Sequence, residues 1–194
     1  GLIRFDGRRF ELFDSRSEPA MGTQEVFALA EDGEGGLLVA MAGGQLLAGR
    51  PGEMRRVGYS TERLFAIRAF DRQVLTCGVS GIQRWLGGRP ADVVRLPDET
   101  HCFEADGDDR WLALSIRAAV LLQGDRVLAR RDDLGFSDAR EIRAHLDGDR
   151  IWLWDDTQLL EWTPAGATRR HSTPPALRRC QTLVRDLEGT LWCA

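Results

Sequence analysis

Short apolar runs, two to five residues long, are spaced along the chain and broken by turns rich in Asp and Gly. The first run of each group is Val26 to Ala30, Leu64 to Ile67, Cys102 to Ala105, Ile142 to Leu146, or Thr182 to Val184. In most groups a turn follows: EDGEGG at 31–36, DGDD at 106–109, DGD at 147–149 and DLEG at 186–189. Gly tolerates positive φ and Asp bonds its own backbone, so both suit tight turns. A two-residue pair then opens a second run: Leu37-Leu38, Val74-Leu75, the degenerate Arg110-Trp111, Ile151-Trp152 and Leu191-Trp192. The second members of these pairs are separated by 37, 36, 41 and 40 residues. A third run follows at Leu46-Leu47, Ile82 to Trp85, Val120 to Leu122 and Leu159 to Trp162. After turns such as GRPGE at 49–53 and GGRP at 87–90, a short fourth run closes the group, as at Met54 to Val57 and Val93 to Leu96. No stretch keeps a helical period of 3.6 beyond about ten residues.

Runs of this length between turn signals predict antiparallel meanders. Four strands in a unit of roughly forty residues describe a propeller blade. The predicted fold is all-β: a β-propeller of four-stranded antiparallel blades, about five units, either a closed ring or a slice of a larger one. A single blade cannot bury both faces, so stacked neighbours must supply the core, and the Trp rings suit the space between blades. Residues 1–194 read as one propeller domain or fragment. Its units are approximately 23–60, 61–97, 98–134 and 135–173, with 174–194 and 1–22 as complementary half units.

Composition fits this picture. The chain has 194 residues, 43% hydrophobic and 29% charged, ordinary values for a folded globular domain. Net charge is −4 and the Arg pairs are scattered, so no basic groove for nucleic acid is expected. All 26 basic residues are Arg, which we read as a codon bias and not as function. No apolar run approaches the roughly twenty residues that span a bilayer, and no membrane contact by this segment is expected. The chain opens on Gly1 without a visible signal peptide and reads as cut from something longer. Cys77, Cys102, Cys180 and Cys193 have no C-x-x-C spacing; their even number allows two disulfides, but burial as small apolar thiols is the expected state.

The order Asp-x-x-Gly-x-Leu-Trp at Asp186 to Trp192, with Gly-Leu-x-Arg-Phe-Asp at Gly1 to Asp6, resembles the two-component regulator propeller repeat. Asp32, Gly35, Leu37 and Leu38 keep the pattern with Leu in place of Trp. Ala69 and Ala105 stand where the Asp would fall in the second and third units, and the fourth unit's turn is one residue short, with Asp147 and Gly148 shifted. The repeat is found in periplasmic sensor regions of bacterial histidine kinases and diguanylate cyclases. The resemblance implies a non-enzymatic sensor module, periplasmic, with a membrane helix and output domain elsewhere and with homodimer formation in a full receptor.

Catalytic signals are weak. His101, His145 and His171 show no metal-ligand spacing, no G-x-S-x-G elbow occurs, and the Asp-Gly turns lack the ligand series of a calcium loop. The Asp-box of sialidases fails at DLEGTLW, where the Asp-to-Gly step is too long. No catalytic residue, metal or cofactor is therefore expected. His145 reads as a packed, hydrogen-bonded residue. If each first strand is innermost, the residues just before it ring one mouth of the channel: Gln24, Arg63, His101, Arg140 and Gln181. These are the candidate contacts for a small-molecule or protein ligand, set against the plainer reading of ordinary polar loop residues. The alternative functions are a propeller scaffold for protein–protein interaction and a propeller-based lyase or glycosidase.

Overall fold

The computed structural model describes residues 1–22, 25–32, 34–70, 73–104, 110–137, 142–178, 180, 183–185 and 191–193, with backbone alone at 70, 102–104, 183–185, 191 and 193. The described chain is all-β apart from a 3-10 turn at Pro19–Met21. Four sheets have four strands each, and in each of them spatial order equals chain order. They are β3 to β6 (Val26–Glu31, Leu37–Met41, Gln45–Gly49, Arg55–Tyr59) and β7 to β10 (Leu64–Phe70, Gln73–Gly78, Gly81–Leu86, Arg89–Arg95). Next come β11 to β14 (His101–Glu104, Arg110–Leu114, Ala118–Gln123, Arg126–Asp132) and β15 to β18 (Arg143–Asp147, Arg150–Trp154, Gln158–Trp162, Thr168–Ser172). Two-stranded hairpins stand at the ends, β1–β2 (Leu2–Phe5, Phe10–Phe13) and β19–β20 (Leu183–Arg185, Leu191–Cys193).

The fold divides into two compact units, Gly1–Leu96 with Thr100–Cys102, and Pro97–Glu99 with Phe103–Ala194. In the first, the middle sheet is covered on both faces. Side chains alternate across a strand, so Leu38, Ala40 and Leu46 pack toward Leu64, Ile67 and Trp85 of the next sheet. Val39, Met41 and Leu47 face the other way, against Leu2 and Phe13 of the β1–β2 hairpin. The second unit repeats the device. Leu112, Leu114 and Leu121 meet Ile151, Leu153 and Trp162, while Trp154 turns to the opposite face with Leu159 and Cys180. A strand buried on both faces is apolar throughout, which is why second and third strands read as continuous runs. The fourth strands β6, β14 and β18 are mostly exposed and carry the charges.

A recurrent backbone bond holds the fourth strand to the meander. A residue one or two positions past it donates to the carbonyl just before the third strand: Ser60 N to Gly44 O (2.8 Å), Leu96 N to Ser80 O (2.9 Å), Leu134 N to Arg117 O (3.0 Å) and Thr173 N to Thr157 O (3.2 Å). Turn side chains cap the hairpins as expected of Asp and Ser. Asp32 Oδ1 accepts from the amides of Glu34 and Gly36, Ser115 Oγ from those of Arg117 and Ala118, and buried Asp155 from those of Thr157 and Gln158. In the β1–β2 turn, the Arg9 amide and then the Arg8 amide hold the Asp6 carboxyl below its usual range.

Two details depart from the sequence reading. The fourth strand β10 starts at Arg89, because Gly87 and Gly88 both take positive φ (56° and 79°) and close a two-residue turn where four residues were expected. Cys77 and Cys180 are buried as expected, but both are disulfide-bonded and not free thiols. Arg170, exposed on β18, donates to the carbonyls of Asp133 and Leu134, at 2.8 Å each.

Trp85 lies 7% exposed between two sheets of the first unit, with its Nε1 donating to Thr76 Oγ1 at 2.8 Å. A Cβ on Gly58 would run into this ring. Gly58→Ala is expected to cost about 1–3 kcal/mol of stability by overpacking, seen as a lower urea midpoint with an unchanged slope. Cys77→Ser is expected to cost roughly 2–5 kcal/mol, and reductant should lower the wild-type midpoint in the same direction.

Candidate functional site

The first strand of a sheet has only one hydrogen-bonded neighbour, so it is the place where an irregularity costs least. Both first strands of the first unit carry one. In β3, Val26 and Ala28 pair with the adjacent residues Met41 and Ala40, which leaves Phe27 as an extra residue. In β7, Leu64 and Ala66 pair with the adjacent Gly78 and Cys77, which leaves Phe65. A bulge of this kind bends the strand and re-aims a side chain. Two phenyl rings are thereby presented from corresponding positions of consecutive sheets.

The rings form a ladder. Phe27 and Phe65 have centroids 6.4 Å apart at an interplanar angle of 43°. Beyond Phe65 lies the His101 imidazole, 6.2 Å away and nearly parallel at 6°. At the other end the Arg63 guanidinium carbon sits 5.4 Å from the Phe27 ring centroid, within cation–π range. Phe27 remains 36% exposed and Arg63 is exposed, whereas Phe65 and His101 are half-buried. The neighbouring carboxylate of Glu62 accepts from the amide and hydroxyl of Ser80 at 3.1 and 2.6 Å. Arg63 forms no ion pair or hydrogen bond with the described residues, so its N–H edge is available to a ligand. The assembly offers stacking surfaces and one cation; it holds no nucleophile.

Of the five residues expected at a channel mouth, Arg63 and His101 fall at the two ends of this ladder. Arg63 immediately precedes β7; His101 is the first residue of β11 and not a residue ahead of it. Gln24, Arg140 and Gln181 lie outside the described residues. The sequence reading missed Phe27 and Phe65. Their signal was present in the like segments Val26-Phe27-Ala28-Leu29 and Leu64-Phe65-Ala66-Ile67, but an apolar residue in an apolar run reads as core. His145 lies in β15 opposite Trp152, and His171 in β18 opposite Leu159. Among the described residues no cluster of three or more His, Cys, Asp or Glu side chains is placed to hold a metal ion, and no helix is long and apolar enough to cross a membrane.

No protein-family model matches the chain, and no curated protein sequence matches it. Solved structures do resemble it. A structure of YCF48 bound to D1 peptide shares 12% identity at a TM-score of 0.65, over 97% of this chain and 66% of that one. Streptogramin B lyase shares 12% identity at 0.59, over 90% of this chain and 62% of that one. The extracellular domain of a putative hybrid two-component system from B. thetaiotaomicron shares 14% identity at 0.54, over 89% of this chain and 26% of that one. These are β-propellers, and the likeness establishes the fold class alone. The chain thus spans less than two thirds of the lyase's length.

A cation–π contact at an exposed ring contributes only about 0.5–1 kcal/mol. Arg63→Ala is therefore expected to lower stability by no more than about that amount in urea titration, leaving the fold intact for binding measurements.

Proposed function

We propose that this chain is a non-enzymatic, ligand-binding propeller module of a bacterial signalling receptor of the two-component or diguanylate cyclase type. The observation that carries this reading is the ladder of Arg63, Phe27, Phe65 and His101. Ring faces bind by stacking and by excluding water, and a guanidinium orients an acceptor without breaking bonds. Recognition chemistry of this kind suits a sensor better than a hydrolase or lyase, which needs a placed nucleophile or acid–base pair.

Two further observations support the receptor setting. Disulfide-bonded Cys77 and Cys180 suit an oxidising compartment, consistent with a periplasmic position. One of the similar propellers is itself an extracellular domain of a two-component system. In this reading the family is that of the two-component regulator propeller repeat. The four-stranded sheets are its blades, and the chain spans only part of the length of the propellers it resembles. A ligand changes the output only through a difference in affinity between two receptor states.

The test is a thermal-shift screen of soluble small molecules on the purified chain, run beside a Phe65→Leu, Arg63→Gln double variant. A ligand at one hundred times its Kd adds about 2.7 kcal/mol to the native state. The expected result is at least one compound that raises the wild-type midpoint, leaves the double variant unmoved and is recovered chemically unchanged. Hits that stabilise both proteins equally, or that are converted to product, overturn the reading.

A further inference from the structure

Resting on the receptor reading above, we infer that the ladder takes an aromatic carboxylate: a flat ring bearing an acid group on a short arm. Three features of the site select this class. First, the site is built of three aromatic rings in a row. Phe27 is the most exposed of the three, and Phe65 and His101 continue the surface at 6.4 and 6.2 Å. A planar ring gains stacking and apolar burial there, and a flexible aliphatic chain gains burial alone.

Second, the polar group at the end of the ladder is a cation that forms no ion pair with the described residues. Arg63 lies over Phe27 by its carbon centre, which leaves the N–H edge of the guanidinium for a bidentate contact. That fork matches the two oxygens of a carboxylate. The carboxylate of Glu62, the nearest acid in sequence, is hydrogen-bonded to the amide and hydroxyl of Ser80 and not to Arg63.

Third, the same features disfavour the competing classes. A neutral sugar also stacks on a ring, but it leaves the guanidinium of Arg63 without a charged acceptor. An aromatic cation would stack equally well, yet it would place like charge beside Arg63.

The probes are phenylacetate, its neutral analogue phenylacetamide, the ring-free acid acetate and the cation phenethylamine, each titrated into the purified chain by calorimetry or ligand-observed NMR. Phenylacetate is expected to bind at least about tenfold more tightly than phenylacetamide, because a charge-assisted hydrogen bond is lost in the amide. Acetate and phenethylamine should show no saturable binding. Arg63→Gln should abolish the preference for acid over amide, while Phe65→Leu should weaken both; thermal melts of the variants confirm that each is folded. Equal affinity for acid and amide, an unchanged preference in Arg63→Gln, or no binding of phenylacetate overturns the inference. A neutral solute from the screen whose binding depends on Phe65 but not on Arg63 also overturns it, and leaves the receptor reading standing. Solutes that bind regardless of both residues overturn the receptor reading itself.

Discussion

The middle strands of these sheets have almost no side facing water. Leu38 to Met41 in β4 and Trp111 to Leu114 in β12 are buried along four consecutive residues, so both faces of each sheet must be covered by something apolar. No four-stranded sheet among the described residues can meet that demand alone. Within each unit it depends on what packs against it, and the two share their stability. At roughly 1.5–3 kcal/mol for each large side chain fully removed from water, this mutual covering outweighs every polar contact in the structure. The surface ion pairs, such as Arg4 with Glu11, are exposed on both sides and add little.

That constraint sorts the strands by role. The second and third strands are committed to packing and tolerate few changes. The fourth is exposed and carries charge, held by the bond from the residue past its end to the loop before the third strand. The first strand is intermediate. Its alternating pattern in β3, with every second residue exposed, leaves side chains that packing does not claim. The bulges at Phe27 and Phe65 occur there. A rigid frame behind a freely presented row of side chains is the arrangement that lets recognition vary while the fold stays constant.

Much of the fold was legible because turn chemistry and two-faced burial both leave marks on a sequence. EDGEGG before Leu37 and DGD before Arg150 announce hairpins, and runs such as AAVLLQ at 118–123 announce strands with no wet face. Where the turn was written only in glycine conformation, at Gly87 and Gly88, the strand start was misplaced. The disulfide state of Cys77 and Cys180 was not legible either, since a buried thiol and a buried half-cystine have the same sequence environment. The site was half legible. Arg63 and His101 stand out as polar residues beside apolar runs, but a bulge is a matter of register, and register is set by pairing partners distant in sequence. Phe27 looks like core until its partner strand is known to skip it.

This difference in legibility bears on how such a module changes its ligand over evolution. A substitution at Leu38 or Leu112 must satisfy two apolar faces at once, because each of these fully buried positions sits in a cluster built by two sheets. A substitution at Phe27, Phe65 or Arg63 has no such double duty. Phe27 is more than a third exposed, and the bulge that presents it is a backbone feature that different side chains can occupy. Within this chain, two consecutive first strands present phenylalanine and the next opens on His101, in the same ladder. The starts of different first strands thus supply different chemistry. In the proposed reading, ligand preference is carried by a few side chains at the first strands, and the apolar periodicity that specifies the fold carries almost no information about it.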